Sequence, residues 1–492
     1  MNRYDYKKAI INAEKLDAYL AGKGKTTPVI IYGVGENGRF CAQHLLRIGA
    51  KIKCFVDMNK DCQNDRPYFI DVVSPQAMKA NYHNEVIIIT PYLGGDIVEE
   101  FLALADFPRD RIYRLQFDLE SFALPLPDPE QHKPSKLAYA ETVSRNPPIT
   151  VFSLIYNTPE YYLRRSIESV LNQSFRDFEY FIVDHGSDDG TTSRIIKEYA
   201  ALDRRIKVYR TDTNVEVERQ QGRESAPLRE ALFQEIRKRV TTEYMCWLDS
   251  DDCYFDGYLE YTYTTAVKQC ADMVCVQSTV YEEGNHENFR YQRYPILSNE
   301  ITAKNEKEKW LAFCEAKMPN TGWGVLVKSE VYLNSFHMAW SHPGDLTTDL
   351  LSSFEMLKAS KTTIFTRETY HAYTLRPTSV FRGSKSLDWK YTIMWFEWMI
   401  NGWLRETRDN YLNLNLNEDW YAYSSGYNVI EAIFFHVDIL IKYQEKQELI
   451  EFYYSLKKLL ADEYILRVIH SRKSYKELYE NITDYFDDTV TI

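Results

Sequence analysis

The sequence lacks several features that would assign it to a special class of protein. Its eight cysteines include no CxxC pair and follow no regular spacing, so we expect reduced thiols in a cytosolic protein. No uninterrupted apolar run is long enough to span a bilayer. The polar start is not followed by the apolar segment of a signal peptide. We therefore expect a cytoplasmic location, with peripheral membrane contact left open.

An excess of positive charge is also absent. The net charge of −12 disfavours a general nucleic-acid-binding protein. Hydrophobic residues make up 45% of the chain and charged residues 26%, as in ordinary globular proteins. Tyrosine is frequent, with 38 residues. Its flat apolar face and hydroxyl group suit a surface that binds sugars or polypeptide, although codon or lineage bias would explain the same excess.

Changes in composition divide the 492 residues into four segments. Residues 1–122 and 148–385 alternate strand patterns with helix patterns, and 123–147 contain the proline-rich stretch "LPLPDPEQHKPS". Residues 386–492 have helical periodicity. We predict an α/β chain with a small Rossmann-like domain, a linker, a central α/β domain and a C-terminal helical region.

The first domain contains a glycine-rich turn between a strand and a helix. Val29–Tyr32 has the composition of a buried strand, and Gly33, Gly35 and Gly38 give the GxGxxG spacing. Such a turn lets a phosphate approach a helix N-terminus, and Asp57 stands where a ribose-binding acid would follow the next strand. The segment resembles N-terminal domains of some bacterial sugar acyltransferases and glycosyltransferases. It would either bind NAD or a sugar nucleotide, or serve as a structural or interaction module.

Four stretches between residues 149 and 385 stand out, in chain order "YN", "RRSIESVLNQSF", "FEYFIVDHGSDDGT" and "EYMCWLDSDD". Together they resemble the motifs of the family 2 glycosyltransferases, which have the GT-A fold. The likeness covers about half of the chain. It implies a GT-A domain with a mixed sheet, and an enzyme that transfers a sugar from a nucleotide donor.

The stretch "WLDSDD" ends in three carboxylates that must be solvated or share a positive group. The resemblance implies a DxD motif, in which Asp251 binds Mn²⁺ or Mg²⁺ directly. Asp249 would contact the ribose or metal-bound water, and Asp252 would position the turn. Both ions favour carboxylate oxygens and would neutralise charge on a departing diphosphate. The alternative is a solvated acidic turn.

The resemblance also implies residues that bind the nucleotide. Asp184, at the end of a strand, would accept a hydrogen bond from N3–H of uracil, and Asn157 belongs to the same donor site. The family often has a second aspartate where this chain has His185, which we interpret as a local hydrogen-bonding residue. Arg229 would lie beside the diphosphate or the base, although Glu230 replaces the asparagine of the family motif.

Two local expectations accompany this site. Thr158 would cap the helix that follows Asn157, with Pro159 in its first turn. Residues 214–225 would form an inserted or mobile loop on the donor side.

An inverting transfer needs a general base that takes the proton of the acceptor hydroxyl. In "HPGDLTTDLLSSFEML" the resemblance implies Asp349, which precedes a helical pattern, with Asp345 as the alternative base. A carboxylate at Asp349 would equally suit the helix dipole without any catalytic role.

Two further stretches would complete the site. "GWG" around Trp323 would form a wall against the sugar or part of the core. In "YHAYTLRPTSVF", His371 would be a metal ligand or a structural histidine, and Tyr373 and Arg376 would approach the metal or the phosphates.

We predict a metal-dependent inverting glycosyltransferase that uses a UDP-sugar donor and a glycan or protein acceptor, such as a flagellin, an adhesin or a surface polysaccharide. The C-terminal helices would bind the acceptor or mediate homo-oligomerisation. One alternative is a bifunctional nucleotide-sugar enzyme with an NAD-binding first domain. Another is a non-catalytic protein that binds sugar nucleotides.

Overall fold

A computed structural model describes the fold of the protein. The described residues are 9–10, 13–24, 27–60, 62–64, 66–91, 95–118, 144–220, 226–282, 290–292, 300–309, 312, 322–340, 348–375, 393, 396–397, 446–470, 476–477, 479–480 and 483–484. They belong to two compact units. The first unit holds the described residues from 144 to 375, and the second holds those from 9 to 118 and from 393 onwards. The predicted linker lies almost entirely outside the described residues.

The N-terminal part of the second unit alternates strands with helices, as predicted. Its strands are β1 (Ala9–Ile10), β2 (Val29–Tyr32), β3 (Ile52–Val56), β4 (Val72–Val73), β5 (Val86–Ile89), β6 (Ile112–Arg114) and β7 (Phe117–Asp118). Its helices are α1 (Ala13–Lys23), α2 (Glu36–Arg47), α3 (Pro75–Asn81) and α4 (Gly95–Leu104). Strands β1 and β7 form an antiparallel pair. The others form a parallel sheet in the order β4-β3-β2-β5-β6.

The composition of β2 and β5 explains their central position in this sheet. Every residue of both strands is buried, as expected for Val- and Ile-rich strands that are covered on both faces. Helix α3 begins where the Ser74 hydroxyl accepts a hydrogen bond from the N–H of Ala77 at 3.1 Å, with Pro75 at the first helical position. The strand order reverses between β2 and β5. An open parallel sheet leaves a crevice at such a point, and nucleotide binding there stays a prediction.

The first unit is built around a larger sheet. Its strands are β8 (Ile149–Ile155), β9 (Phe178–His185), β10 (Ile206–Thr211), β11 (Tyr244–Trp247), β12 (Cys253–Tyr254), β13 (Met273–Glu282), β14 (Arg290–Gln292), β15 (Glu300–Ala303), β16 (Val325–Lys328) and β17 (Thr363–Leu375). Its helices are α5 (Glu160–Leu171), α6 (Thr192–Leu202), α7 (Val215–Gln220), α8 (Ala226–Arg239), α9 (Tyr258–Gln269), α10 (Ser329–Trp340) and α11 (Thr348–Ala359).

These ten strands form one mixed sheet, so the predicted α/β architecture with a mixed central sheet is confirmed. The order is β10-β9-β8-β11-β16-β13-β17-β12, with β14 beside β13 and β15 beside β17. Strands β10, β9, β8 and β11 are parallel to one another, whereas β16 is antiparallel to β11 and to β13. The carboxyl ends of the four parallel strands therefore lie at the same edge of the sheet.

Helix α5 packs on this sheet through the apolar face that its sequence predicts. Leu163, Ile167, Val170 and Leu171 are all buried in the main core, and full burial of each such side chain stabilises the fold by roughly 1.5–3 kcal/mol. Arg165 lies in the same helix and is also buried, with only 2% of its surface exposed. A buried arginine needs polar partners, and those partners belong to the candidate site.

The C-terminal part of the second unit is helical where it is described. Its helices are α12 (Lys446–Leu460) and α13 (Glu463–His470). Phe452 of α12 is buried, and the guanidinium of Arg467 on α13 lies 5.1 Å from the ring centroid of Phe69. Residues 386–445 are the first part of the predicted helical region 386–492, and most of them lie outside the described residues. No described helix combines the length and apolar content that crossing a membrane requires.

Candidate functional site

Most of the predicted donor-site residues meet at one edge of the ten-stranded sheet. Strand β8 is flanked by β9 and β11. Asn157 follows β8, Asp184 is the second-last residue of β9, and the acidic turn with Asp249, Asp251 and Asp252 follows β11. The order of the strands therefore brings together residues that are up to 95 positions apart in the sequence.

A contact between hydroxyl groups joins two of these strand ends. The hydroxyls of Thr158 and Ser250 are 2.6 Å apart, so the loop after β8 touches the acidic turn. Thr158 is predicted to cap α5, and that prediction is wrong. The helix begins at Glu160, and Pro159 at the N-cap provides no side-chain hydrogen bond. The Thr158 hydroxyl contacts the neighbouring turn, which local sequence does not reveal.

Asn157 organises the loop that follows β9. Its backbone has a φ of 42°, a left-handed conformation that asparagine tolerates better than most residues. The side-chain oxygen accepts hydrogen bonds from the N–H groups of Asp188 at 3.0 Å and Asp189 at 3.3 Å, and Nδ2 donates to Asp188 Oδ1 at 2.7 Å. These contacts fix the loop against the end of β8, while contact of Asn157 with a donor stays a prediction.

Asp184 is almost fully enclosed by donors. Its Oδ1 accepts a hydrogen bond from the N–H of Ser187 at 3.1 Å. Its Oδ2 accepts from the Ser193 hydroxyl and forms an ion pair with Arg210, which lies opposite it on β10. Only 3% of the Asp184 side chain is exposed, compared with 42% of the Arg210 side chain. Nothing in the motif around Asp184 reveals this arginine, because it belongs to the next strand.

His185 has a local role, as interpreted from the sequence. Its Nε2 accepts a hydrogen bond from the N–H of Val215 at 3.1 Å, so this nitrogen carries no proton. Asn214 Oδ1 accepts from the N–H of Val217 at 3.1 Å and caps the start of α7. The segment 214–225 is predicted to be an inserted or mobile loop. Its first part is helix α7, and residues 221–225 lie outside the described residues.

The acidic turn contains carboxylates of different exposure. Asp249 and Asp251 are half-buried, whereas Asp252 is fully buried. Asp249 Oδ1 accepts a hydrogen bond from the indole N–H of Trp247 at 2.6 Å, and the main-chain oxygen of Asp249 accepts from the N–H of Asp252 at 3.1 Å. The turn therefore directs one carboxylate into the protein and keeps two near its surface.

Asp252 connects the turn to β17. Its Oδ1 accepts a hydrogen bond from the N–H of Thr374 at 2.8 Å, and its Oδ2 lies 3.3 Å from Nε2 of His371. His371 Nδ1 lies 3.0 Å from the Ser278 hydroxyl, and the imidazole is fully buried. These contacts fit the prediction that Asp252 positions the turn. For His371 they fit a structural role, which is one of the two roles expected of it. A metal-ligand role for His371 stays a prediction.

Arg165 is the positive group next to this acidic turn. Its Nη2 donates hydrogen bonds to the main-chain oxygen of Asp251 at 2.9 Å and to the Thr374 hydroxyl at 2.8 Å. Burial lowers the pKa of Arg165, but neighbouring acidic groups, including Asp252, raise it above its usual value. Arg165 lies on the side of α5 opposite Leu163, Ile167 and Val170, so the helical periodicity of the sequence gives no sign that it is buried.

Trp323 packs inside the protein. It is 5% exposed, and its ring stacks on His371, with centroids 4.8 Å apart, and on Tyr373, with centroids 5.1 Å apart. Gly324 follows with a φ of 72°, and its carbonyl accepts the N–H of Val276 at 2.9 Å. Of the two expectations for Trp323, these contacts favour core packing over a wall exposed to the sugar.

The remaining predicted residues are placed only in part. Arg229 is half-buried in the first turn of α8, and Glu230 is exposed. Asp349 is the second residue of α11, which confirms the predicted helix at this position. Its side chain lies outside the described residues, as do Asp345 and Arg376.

The glycine turn of the second unit is tightly packed. Gly33 has a φ of 102°, and a Cβ on Gly38 would lie 1.9 Å from the Gly33 carbonyl oxygen, so both positions require glycine. Gly35 stands before α2 with open space around it. Asp57 Oδ2 accepts the N–H of Val34, the residue between the first two glycines, at 3.0 Å. The structure thus shows Asp57 supporting the turn, while ribose binding stays a prediction.

The acidic turn matches only part of a metal-binding site. Among the described residues, no group of three or more His, Cys, Asp or Glu side chains is arranged to hold a metal ion. Mg²⁺ commonly binds through one or two carboxylates together with substrate phosphates and water. The half-buried Asp249 and Asp251 fit this smaller set of ligands.

Residues 150–223 and 229–332 match the family model described as Glycosyl transferase family 2. This match covers about a third of the chain and includes β8, β9 and the acidic turn. An uncharacterized glycosyltransferase of Methanocaldococcus jannaschii is 39% identical over 14% of this chain and 24% of its own length. The Staphylococcus aureus poly(ribitol-phosphate) beta-N-acetylglucosaminyltransferase TarP is 30% identical over 25% of this chain and 38% of its own length.

The chain thus spans between a quarter and two-fifths of the length of these curated relatives. Among solved structures, S. aureus TarS residues 1–349 in complex with UDP aligns with 68% of this chain and 91% of its own, at 15% identity and a TM-score of 0.35.

Proposed function

We propose that the first unit is a family 2 glycosyltransferase that transfers a sugar from a UDP-sugar donor to a glycan or protein acceptor. One observation carries the proposal: Asn157, Asp184 and the acidic turn meet at the carboxyl edge of β9, β8 and β11. Open α/β sheets bind their ligands at this edge. The same residues fall within the segment that matches the family model.

The donor would lie along this edge of the sheet. The nucleobase would occupy the end of β9, near Asp184, and the diphosphate would lie towards the turn after β11. Asn157 follows β8, the strand between β9 and β11, and holds the loop after β9. It would therefore set the shape of the donor site. Arg229, in the first turn of α8, would add positive charge beside the diphosphate or the base.

Asp251 and Asp249 would hold Mn²⁺ or Mg²⁺ together with the diphosphate oxygens. When bound, the ion neutralises negative charge that develops on the leaving UDP. The contribution of the chain is to place both carboxylates. Arg165 fixes the main chain at Asp251, and Trp247 fixes the side chain of Asp249. His371, buried beneath the turn, is the less suitable of the proposed ligands.

We propose inversion by direct displacement. The acceptor hydroxyl oxygen would attack the anomeric carbon as the bond from that carbon to the UDP oxygen breaks, and the hydroxyl proton would pass to a carboxylate. Asp349, at the start of α11, is the proposed base, with Asp345 as the alternative. The base and the acceptor must approach from the side opposite UDP.

The acceptor is proposed as a glycan or a protein surface. The name of the S. aureus relative includes poly(ribitol-phosphate), which supports a surface polymer over a flagellin or an adhesin. The C-terminal helices would bind this acceptor or mediate homo-oligomerisation, and the enzyme would act in the cytoplasm. NAD binding by the glycine turn is the alternative role for the second unit, and NAD absorbance or mass in the purified protein would reveal it.

The test is UDP release from a panel of UDP-sugars with and without Mn²⁺, together with binding of UDP by calorimetry. We expect UDP release in the presence of Mn²⁺, at a rate that is more than about 100-fold lower in Asp251→Ala and in Asp349→Asn. Asp349→Asn should bind UDP in the absence of metal nearly as well as the wild-type protein. Asp256→Asn is the matched control, because that carboxylate is exposed and contacts the N–H of Ser174. The proposal is refuted if the intact chain releases no UDP from any UDP-sugar and also fails to bind UDP.

A further inference from the structure

The start of α7 is attached to the end of β9 through a histidine side chain. His185 is the last residue of β9, and its Nε2 accepts a hydrogen bond from the N–H of Val215, the first residue of α7, at 3.1 Å. A ring nitrogen that accepts a hydrogen bond carries no proton. The contact therefore requires a neutral imidazole, whose one proton is on Nδ1.

The contact lies in a closely packed part of the first unit. Only 3% of the surface of His185 and 2% of that of Val215 are exposed. Gly186 follows with a φ of 73°, and a Cβ there would lie 2.4 Å from the carbonyl carbon of Thr213. The main chain before α7 thus lies directly against the main chain after β9, which leaves the imidazole little room to turn away.

Charged residues on the neighbouring segments influence the protonation of the imidazole. Those whose side chains are described are Asp184 on β9, Arg210 on β10, Asp212 in the loop before α7, Glu218 on α7, and Arg229 and Glu230 on α8. Asp184 pairs with Arg210, and it points to the opposite face of β9 because successive side chains of a strand alternate. The others are acids apart from Arg229. Acids favour uptake of a proton by the imidazole and a base opposes it, so these residues influence the pH at which the imidazole becomes charged.

Uptake of a proton by Nε2 would convert this acceptor into a donor. Two N–H groups would then face each other, and the N–H of Val215 would lose its acceptor. As the first residue of α7, Val215 has no acceptor for this N–H within the helix, and a buried main-chain donor without a partner is costly. Movement of α7 away from β9 would let both groups reach water.

We propose that His185 is a proton-sensitive latch, which holds the start of α7 against β9 while its imidazole is neutral and releases it when Nε2 takes up a proton. Solvent supplies the proton, and the hydrogen bond between Val215 and His185 is the one that breaks. The latch acts on residues 213–220, at the same edge of the sheet as the acidic turn. It is independent of glycosyl transfer, because only β9, α7 and a proton take part.

Hydrogen exchange of the full chain, followed by mass spectrometry from about pH 8 to about pH 5, covers the range in which histidine titrates. Because exchange itself depends on pH, observed rates are compared with intrinsic rates to give protection factors. In the wild-type protein we expect the protection of residues 213–220 to fall about fivefold or more at the low end, since a hydrogen bond is lost. The protection of α6 should stay unchanged. His185→Gln is the matched variant, because its amide oxygen can accept the same N–H but does not titrate, so its protection should not depend on pH.

The comparison with His185→Gln separates the latch from general effects of acid. Constant protection of residues 213–220 in the wild-type protein overturns the inference, and so does a fall of the same size in His185→Gln. A fall that extends equally to α6 also overturns it, because it reports unfolding of the unit. If His185→Gln fails to fold, Val215→Pro replaces it, since proline lacks the N–H and is tolerated as the first residue of a helix. A pH-dependent fall that persists in Val215→Pro overturns the inference. Neither UDP release nor UDP binding enters these outcomes, so failure of the latch is distinguishable from failure of the proposed function.

Discussion

Replacing Arg165 by methionine would remove a buried positive charge from beneath the acidic turn while keeping most of the side-chain volume. Arg165 donates to the main-chain oxygen of Asp251 at 2.9 Å and to the Thr374 hydroxyl at 2.8 Å. Without the guanidinium, both acceptors lose a buried partner, at a cost of about 1–3 kcal/mol each. The buried carboxyl of Asp252 also loses a neighbouring positive charge. Burial of the methionine offsets part of this cost, so we expect a net loss of about 3 kcal/mol in the free energy of unfolding.

Arg164→Met is the matched control for this prediction. Arg164 is the preceding residue of the same helix and pairs with Glu160 at 2.8 Å and Glu198 at 2.9 Å. Both glutamates are substantially exposed, at 48% and 34%, so losing these ion pairs should cost about 1 kcal/mol or less.

Urea unfolding followed by tryptophan fluorescence measures both variants against the wild-type protein. Because the chain has two compact units, the unfolding curves must first be checked for separate transitions. The decisive comparison is the shift of the transition that reports the first unit. If Arg165→Met were no less stable than Arg164→Met, the buried arginine would not support the acidic turn as we infer.

Three further substitutions test other parts of the fold. Gly38→Ala should destabilise the second unit by about 1–3 kcal/mol, measured by thermal unfolding, because the added methyl would overlap a carbonyl oxygen of the glycine turn; a stable variant would contradict this packing. Lys309→Met should lower the urea midpoint by the equivalent of about 2 kcal/mol or more, since its buried ammonium donates to three main-chain oxygens at the end of α11. An unchanged midpoint would show that those oxygens find other partners. Burial raises the pKa of Asp272, but the hydrogen bonds from Lys328 and from the N–H groups of Lys361 and Thr362 together lower it by more, so the folded-state pKa lies below its ordinary value. The stabilisation is therefore present above the unfolded pKa of about 4 and is lost as the pH falls through the folded value. Asp272→Asn should be less stable than the wild-type protein at pH 7, and this difference should shrink below about pH 4 in urea titrations; a pH-independent difference would refute this linkage.

Local patterns in the sequence predict much of the architecture. The buried runs at β2 and β5 and the apolar face of α5 occur where the periodicity indicates. The requirement for glycine at Gly33 and Gly38 also follows from the spacing of the turn, because the chain must reverse within a few residues. These features depend on neighbours close in sequence, so a single chain reveals them.

The main candidate-site residues are predictable as strand-end residues but not in their contacts. Asp184 and the acidic turn are placed at the carboxyl edge, as expected from parallel strands. The cap at Thr158 is predicted incorrectly, because its hydroxyl contacts Ser250, which is 92 positions away. Competing partners of this kind are visible only after the strands have assembled.

Local patterns in the chain specify the alternation of strands and helices, the glycine turn, and the carboxylates that follow buried strands. Which charges meet depends on the assembled fold: Arg210 covers Asp184 from the next strand, and Arg165 reaches Asp251 from a helix 86 positions away. Secondary structure follows from local periodicity, whereas the burial of a charge is tolerated only where long-range packing supplies a partner.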